Sequence, residues 1–303
     1  MEAPAAPLVT VITPAYNQAK FLPETIDSIL SNGYAPIEFI VLDDGSRDKT
    51  RAVLESYRDR LTIVSHANMG ETRTVNKGIA MARGAFVMTV NADDPLRPGA
   101  IGKLAAALVA QPEALLAYPD WESIDDAGKL LETVNLPDYT LTSLFHPSYS
   151  IALGPGVMIR RAAFERVGYR DPRLRYASDI DLWARMALAG PFAHVPEVLA
   201  THRVHGEAAS TAHRGWRLAW EVPLVARRAL ARPGTPAELL AARRSILANA
   251  HGAAIMLYAG RHLRARLAHA AALAWYTGSL SRARRLLRAT SIRRQPAPVQ
   301  SNR

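Results

Sequence analysis

The chain is predicted to be an α/β protein: a mostly parallel sheet sandwiched by helices, followed by an all-α C-terminal extension. Three observations predict it. Four short apolar runs, at 8–13, 37–42, 61–65 and 86–90, alternate with stretches of helical spacing, and continuous runs of that length suit strands buried on both faces. Most of these runs stop abruptly on polar residues, as strands do when they deliver side chains to one edge of a sheet. From Trp216 onward the alternation gives way to Ala, Leu and Arg.

Leu8–Thr13 reads as the first strand, closed by Pro14-Ala15-Tyr16-Asn17. Lys20–Ser31 carries Phe21, Ile26, Ile29 and Leu30 at helical spacing, and Gly33 stops it. Ile37–Leu42 is a second strand ending in Asp43-Asp44-Gly45-Ser46. Asp48 then caps a helix to about Tyr57. Leu61–Ser65 is a third strand, Asn68-Met69-Gly70 a turn, and Thr72–Arg83 a helix ended by Gly84. Phe86–Val90 is the fourth strand. This repeated strand–helix alternation is what predicts the parallel sheet with helices on both faces.

The 303 residues are 49% hydrophobic, enough for one large or two modest cores. There is no cysteine, which excludes disulfides and thiolate metal sites. No apolar run is long enough to cross a bilayer, and MEAPAAPLVT lacks the pattern of a signal peptide; a cytoplasmic protein is expected. Charge divides the chain. Residues 1–205 hold 20 Lys+Arg against 24 Asp+Glu, whereas residues 206–303 hold 17 Arg, no Lys and 3 Glu. Two regions with different jobs are expected, 1–210 and 211–303, with 292–303 disordered.

The fourth strand runs into Asn91-Ala92-Asp93-Asp94-Pro95. Two adjacent carboxylates at the end of a buried strand repel each other and lose hydration. A cation with oxygen ligands relieves both costs; an acidic turn capping the next helix is the plainer reading. The expected sheet brings Tyr16 and Asn17, Asp43 and Asp44, and Asp93 and Asp94 to one edge, which a chance acidic turn would not do.

VITPAYNQAKFLPETIDSIL, FIVLDDGSRDKT and NMGETRTVNKGIAMARGAFVMTVNADD, in that order and spacing, resemble the N-terminal half of family 2 glycosyltransferases. Tyr118-Pro119-Asp120-Trp121-Glu122, GPGVMIRRAAFERVGYRD, SDIDLWARMALAG and Arg203–Ser210 fit as well. The resemblance covers about residues 7–210. It implies the Rossmann-like nucleotide-diphospho-sugar transferase fold, of GT-A type. It also implies inverting transfer of a sugar from a UDP- or dTDP-linked donor to a hydroxyl in cell-surface glycan or glycolipid synthesis. A non-catalytic nucleotide-sugar binding or scaffold protein is the rival reading, because Val75, Asn91 and Ser178 depart from the commoner family pattern.

The resemblance assigns roles residue by residue. Pro14, Tyr16 and Asn17 lie beside the base, Tyr16 as a stacking ring. Asp44 accepts a hydrogen bond from a base imide. Arg73 either contacts the base or diphosphate or is a solvated helix arginine. Asp93 touches the ribose, and Asp94, with Asp93, holds Mg²⁺ or Mn²⁺ against the diphosphate, where the ion offsets charge on the leaving group. His205, and less directly His202, completes the metal or diphosphate site or is a surface histidine. Asp179 matches the general base that takes the acceptor proton, while Asp181 serves the helix terminus. Asp120 and Trp121 line the acceptor pocket or pack.

Helices are expected at roughly 215–231, 236–258, 261–277 and 280–289. Leu267–Thr290 resembles one two-helix repeat unit, which must pack on neighbours to be stable. The arginines there make a solvated face, a surface that lies on an anionic membrane bearing a lipid-linked acceptor, or a nucleic-acid patch. The last lacks any aromatic-basic interleaving, so no nucleic acid is expected.

Overall fold

The computed structural model describes residues 6–139, 141–144, 153–206, 215–257 and 263–292. The expected disorder from 292 on falls, beyond Ile292, outside the described residues, as do 207–210 of the last matching block. The chain forms two compact units, Met1–Leu141 with Ala152–Ala212, and Thr142–Ile151 with His213–Arg303.

The first unit begins with β1 (Val9–Ala15), α1 (Leu22–Leu30), β2 (Ile37–Asp43), α2 (Thr50–Glu55), β3 (Thr62–Ser65), α3 (Glu71–Met81) and β4 (Phe86–Thr89). These are the expected elements, with ends moved by at most two residues. The chain continues through α4 (Ala100–Ala110), β5 (Leu116–Ile124), β6 (Leu130–Val134), α5 (Leu141–Leu144, all but its first residue in the second unit), β7 (Met158–Arg160), α6 (Ala163–Val167), α7 (Ser178–Ala187) and β8 (Phe192–Arg203). One eight-stranded sheet has the order β3-β2-β1-β4-β7-β5-β6, and β8 pairs with β5.

β1 is parallel to both β2 and β4, and β2 is parallel to β3. The register, Ala15 opposite Asp43 and Ile12 opposite Thr89, sets the C-terminal ends of these strands side by side. The sheet is more mixed than the sequence predicts, since β7 runs antiparallel to β4 and β5, and β6 antiparallel to β5. β7 has only three residues and β6 is an exposed ribbon, so neither carries a buried apolar run to be read. β5 then runs parallel to β8, with register shifts around Asp120.

The core of this unit packs Val9, Val11, Val41, Phe86 and Met88 of the sheet against Leu22, Ile26 and Ile29 of α1 and Ile101, Leu104 and Leu108 of α4. Each such side chain, fully buried, contributes about 1.5–3 kcal/mol. α3 lies close on the sheet at Gly78, where a Cβ would stand 2.5 Å from Ile12 Cγ2. Sequence spacing alone placed α3 correctly but gave no reason for that glycine.

The second unit holds α8 (Gly215–Leu230), α9 (Ala237–Ala241), α10 (Arg243–Leu257), α11 (Leu263–Thr277) and α12 (Leu280–Ile292). The helix expected at 236–258 is two helices, broken after Ala241. Gly278, at φ 65°, turns the chain between α11 and α12. Arg266 Nη2 near the start of α11 donates to the carbonyl of Leu287 late in α12 (2.8 Å), so the two helices run antiparallel as a hairpin. That hairpin packs Ala270, Leu273 and Ala283 against Ala248 and Ile255 of α10, the support that a lone two-helix repeat requires. Among the described residues, no helix is long and apolar enough to cross a membrane.

Candidate functional site

The site forms where parallel strands end. At the end of β1, Tyr16 projects outward, 43% exposed, from a turn held by its neighbours. Asn17 takes a positive φ of 54°. Its N–H donates to Ser46 Oγ (3.0 Å), and its Oδ1 accepts from the Arg47 N–H (2.8 Å). The N–H groups of Gln18 and Ala19 donate to Thr50 Oγ1 and Asp48 Oδ2. Pro14, the penultimate residue of β1, pairs in register with Leu42. The turn bearing the expected stacking ring is thus tied to the turn after β2.

Asp43 and Asp44 are both buried and do different things. Asp43 accepts from the Ser46 N–H (2.9 Å) and Arg51 Nε (2.9 Å). Burial works against its ionisation, but these donors outweigh it and hold the carboxyl below the usual range. Asp44 N–H donates to the Ala15 carbonyl (2.8 Å), joining it to the Tyr16 turn. Its carboxylate accepts from the N–H groups of Met69 (2.7 Å) and Gly70 (3.0 Å). Gly70 precedes the first turn of α3 at φ 88°, a conformation that glycine adopts without strain. Asp44 therefore fixes the start of α3. His66 Nδ1 stands 3.4 Å from Asp44 Oδ1, and its Nε2 is buried without a hydrogen-bond partner among the described residues. Arg73 is exposed on the first turn of α3.

The fourth strand delivers the second pair of carboxylates. Val90 N–H donates to the Ile12 carbonyl (2.9 Å), which sets the Asn91–Asp94 turn beside the end of β1. Asp94 is buried, with Oδ1 accepting from the Arg203 N–H (2.8 Å) and Oδ2 from Asn91 Nδ2 (2.8 Å). Burial pushes its carboxyl well above the usual range and the neighbouring Asp93 adds to this; the two donors pull back without offsetting it. Asp93 Oδ2 lies 2.9 Å from His205 Nε2, whose ring packs on Phe21 at 4.6 Å between centroids. Burial holds the neighbouring His202 below its ordinary pKa, and Asp93 only partly opposes that.

Arg203 binds this edge together. It is 2% exposed. Nε donates to the Asp93 carbonyl (3.1 Å), Nη1 to the carbonyls of Asp125 (3.1 Å) and Asp126 (3.3 Å), and Nη2 to Glu24 Oε2 (2.6 Å). Its guanidinium also lies over the Phe21 ring at 5.0 Å. One planar fork so joins the carboxylate turn, α1 and the β5–β6 turn. In sequence Arg203 reads only as the residue between two histidines; an arginine at the end of a strand opposite an acidic turn was the available signal.

Asp179 is half-buried in the first turn of α7, where its Oδ1 lies 2.7 Å from the Ile180 N–H. The preceding Ser178 accepts from Thr72 Oγ1 (3.1 Å), on the first turn of α3. Asn76 and the backbone of Arg170 exchange two hydrogen bonds, of 2.8 and 3.0 Å. Since α3 begins at the C-terminal edge of the sheet, these bonds bring the start of α7 to the same edge. Asp181, expected at the helix terminus, instead accepts from Arg185 Nε (2.8 Å) one turn further along α7.

Asp120 and Trp121 lie farther along, on β5. Asp120 is 5% exposed; its Oδ1 accepts from the Leu136 N–H (2.8 Å) and faces His194 Nε2 (3.0 Å). Trp121 packs on the core and meets His202 edge-on at 5.9 Å.

No three His, Cys, Asp or Glu side chains converge as a metal cluster among the described residues. A divalent ion held mainly by phosphate oxygens needs only one or two protein ligands. Asp93 Oδ2 and His205 Nε2 fit that need: atoms bound to one ion at ~2.1 Å stand about 3 Å apart when adjacent, close to their 2.9 Å separation.

Residues 10–168 match the family model for glycosyl transferase family 2, more than half of the chain. The chain belongs to this family. Among family members, an uncharacterized glycosyltransferase of Rickettsia typhi is 32% identical over 207 residues, 66% of this chain and 65% of that protein. The chain thus spans just under two thirds of that relative's length. The solved structure of S. aureus TarS 1-349 in complex with UDP-GlcNAc aligns over 93% of this chain and 90% of its own, at TM-score 0.63 and 18% identity. Mannosyltransferase PcManGT from Pyrobaculum calidifontis, in complex with GDP-Man and Mn²⁺, aligns over 95% of this chain and 87% of its own, at TM-score 0.58 and 21% identity. Both likenesses bear on the fold, and they agree with a GT-A-type sheet in a glycosyl transferase family 2 chain.

Proposed function

We propose that this protein is an inverting glycosyltransferase that moves a sugar from a nucleoside diphosphate donor, UDP- or dTDP-linked, to a hydroxyl of a cell-surface glycan or glycolipid. The observation that supports it best is the gathering of Tyr16, Asp44, the Asp93–His205 pair and the first turn of α7 at one edge of the sheet. Tyr16 supplies a face for the base. Each Asp44 oxygen keeps a second lone pair beyond its amide bond, which a base imide N–H would use, and Arg73 stands on the next turn for the diphosphate.

Asp93 and His205 would hold Mg²⁺ or Mn²⁺, with Asp94 behind them as the group that fixes the turn. When bound, the ion supplies a Lewis acid that offsets charge on the departing diphosphate. Asp179 takes the acceptor hydroxyl proton as that oxygen attacks the anomeric carbon from the face opposite the diphosphate. Asp120 and Trp121 belong to the acceptor side. Transfer takes place in the cytoplasm.

A thermal-shift screen of nucleotide sugars with and without Mn²⁺ tests this. A ligand at about 100 times its dissociation constant adds about 2.7 kcal/mol of apparent stability. One UDP- or dTDP-sugar should raise Tm, more strongly with Mn²⁺, and His205→Ala should remove the Mn²⁺ increment. If no nucleotide sugar stabilises the chain, the reading is wrong. Binding without any release of nucleoside diphosphate favours the scaffold alternative, for which Asn91 and Ser178 speak: here they serve as hydrogen-bond partners of Asp94 and Thr72.

A further inference from the structure

α11 is apolar on two opposite faces. One face, with Ala270 and Leu273, packs in the helical core. At 100° per residue, Leu263, Arg264, Leu267, Ala268, Ala271 and Trp275 fall within a 140° arc on the other side, and all six are exposed. Leu263 is 64%, Leu267 50% and Trp275 76% exposed. A scattered exposed leucine needs no explanation, but a contiguous arc containing a tryptophan does.

The antiparallel α12 adds charge. Its exposed side carries Arg284, Arg285 and Arg288, next to an exposed Leu280 at the hairpin turn. Residues 263–292 contain six arginines and no acid. A second copy of this surface would meet arginine with arginine. An acidic protein would pair the arginines but would need, beside its carboxylates, an apolar pocket fitted to Trp275 and the two leucines. A surface with phosphates above hydrocarbon suits both halves: Trp and Leu sit at the headgroup boundary, and arginines pair with phosphates while their stems lie on apolar neighbours.

We propose that the exposed face of the α11–α12 hairpin binds an anionic lipid surface, with Trp275, Leu267 and Leu263 entering the headgroup boundary and Arg284, Arg285 and Arg288 facing lipid phosphates. The inference goes beyond the transfer reaction and does not depend on it.

Co-sedimentation of the full chain with vesicles tests it, using phosphatidylcholine alone and phosphatidylcholine mixed with phosphatidylglycerol. The chain should bind the mixed vesicles, and binding should weaken from about 0.1 M to about 1 M salt as screening shortens from ~10 to ~3 Å. Replacing the three α12 arginines together by alanine should weaken it about 100-fold. Trp275→Ser with Leu267→Ser should weaken it at least about tenfold while leaving the thermal unfolding midpoint of the free chain unchanged. These side chains are exposed, so the variants keep the fold, which circular dichroism checks. Equal binding to both vesicle types, or to neither, overturns the proposal. So does an oligomer in solution that Trp275→Ser dissolves, which assigns the face to a second copy, or a preference for an oligonucleotide over the mixed vesicles.

Discussion

Arg203→Met removes the guanidinium that joins three segments at this edge of the sheet and keeps most of the stem. Four hydrogen bonds go: to the carbonyls of Asp93, Asp125 and Asp126, and to Glu24 Oε2. Glu24 has a side chain 56% exposed, so it recovers water and its ion pair counts for little, about 0–1 kcal/mol. The three carbonyls meet a charged donor that is 1% exposed, where a net bond is worth roughly 1.5 kcal/mol and a lost one leaves the acceptor dry. The contact over Phe21 adds about 0.5–1 kcal/mol. Together about 5 kcal/mol is at stake, at the upper end of the range for breaking a buried charged network. For a unit of this size that is a fall in Tm of about 10 °C. Arg203→Lys keeps the charge but not the fork, and should recover less than half. Differential scanning fluorimetry with urea titration measures both variants. A fall below about 2 °C for Arg203→Met would refute the view that this side chain holds the edge together.

Further outcomes are expected. Asn91→Asp replaces the donor to Asp94 Oδ2 by a third carboxylate; Tm without metal should fall by roughly 1–3 kcal/mol equivalent, and Mn²⁺ should restore more of it than it adds to the wild type. In the helical unit, His251 Nδ1 and His269 Nδ1 lie 2.9 Å apart. Burial first, then Arg227 for His251 and His251 for His269, hold both rings at about 4, below the ordinary 6.5. The unfolded chain therefore binds the extra protons more readily. Their contribution is full above pH 6.5 and declines as pH falls toward 4, so Tm should drop across that window, and His251→Gln should flatten the slope in a scan of Tm against pH. An unchanged slope would remove the pair as its cause.

The strand–helix alternation up to Thr89 was legible because a strand buried on both faces writes a continuous apolar run. The 12-residue β8 was not: Pro196 interrupts it and its burial alternates. Placing Asp44 and Asp93 at one edge needed only the parallel order of the strands. That Asp44 would spend its oxygens on the Met69 and Gly70 amides, that Asn91 would donate to Asp94, and that Ser178 would join Thr72 depends on contacts across 25, 3 and 106 positions. Of these only the shortest could be guessed from spacing. The histidine pair of the helical unit, 18 positions apart on different helices, left no pattern in the sequence.

The role of Asp179 is where the transfer reading is most exposed. With the nucleotide sugar that best stabilises the chain, and Mn²⁺ present, release of nucleoside diphosphate can be followed for the wild type and Asp179→Asn alongside donor affinity. The account predicts that affinity stays within about threefold while turnover falls about 10²–10⁴-fold, the span of a lost general base. Turnover equal to the wild type, with the same affinity, would contradict it.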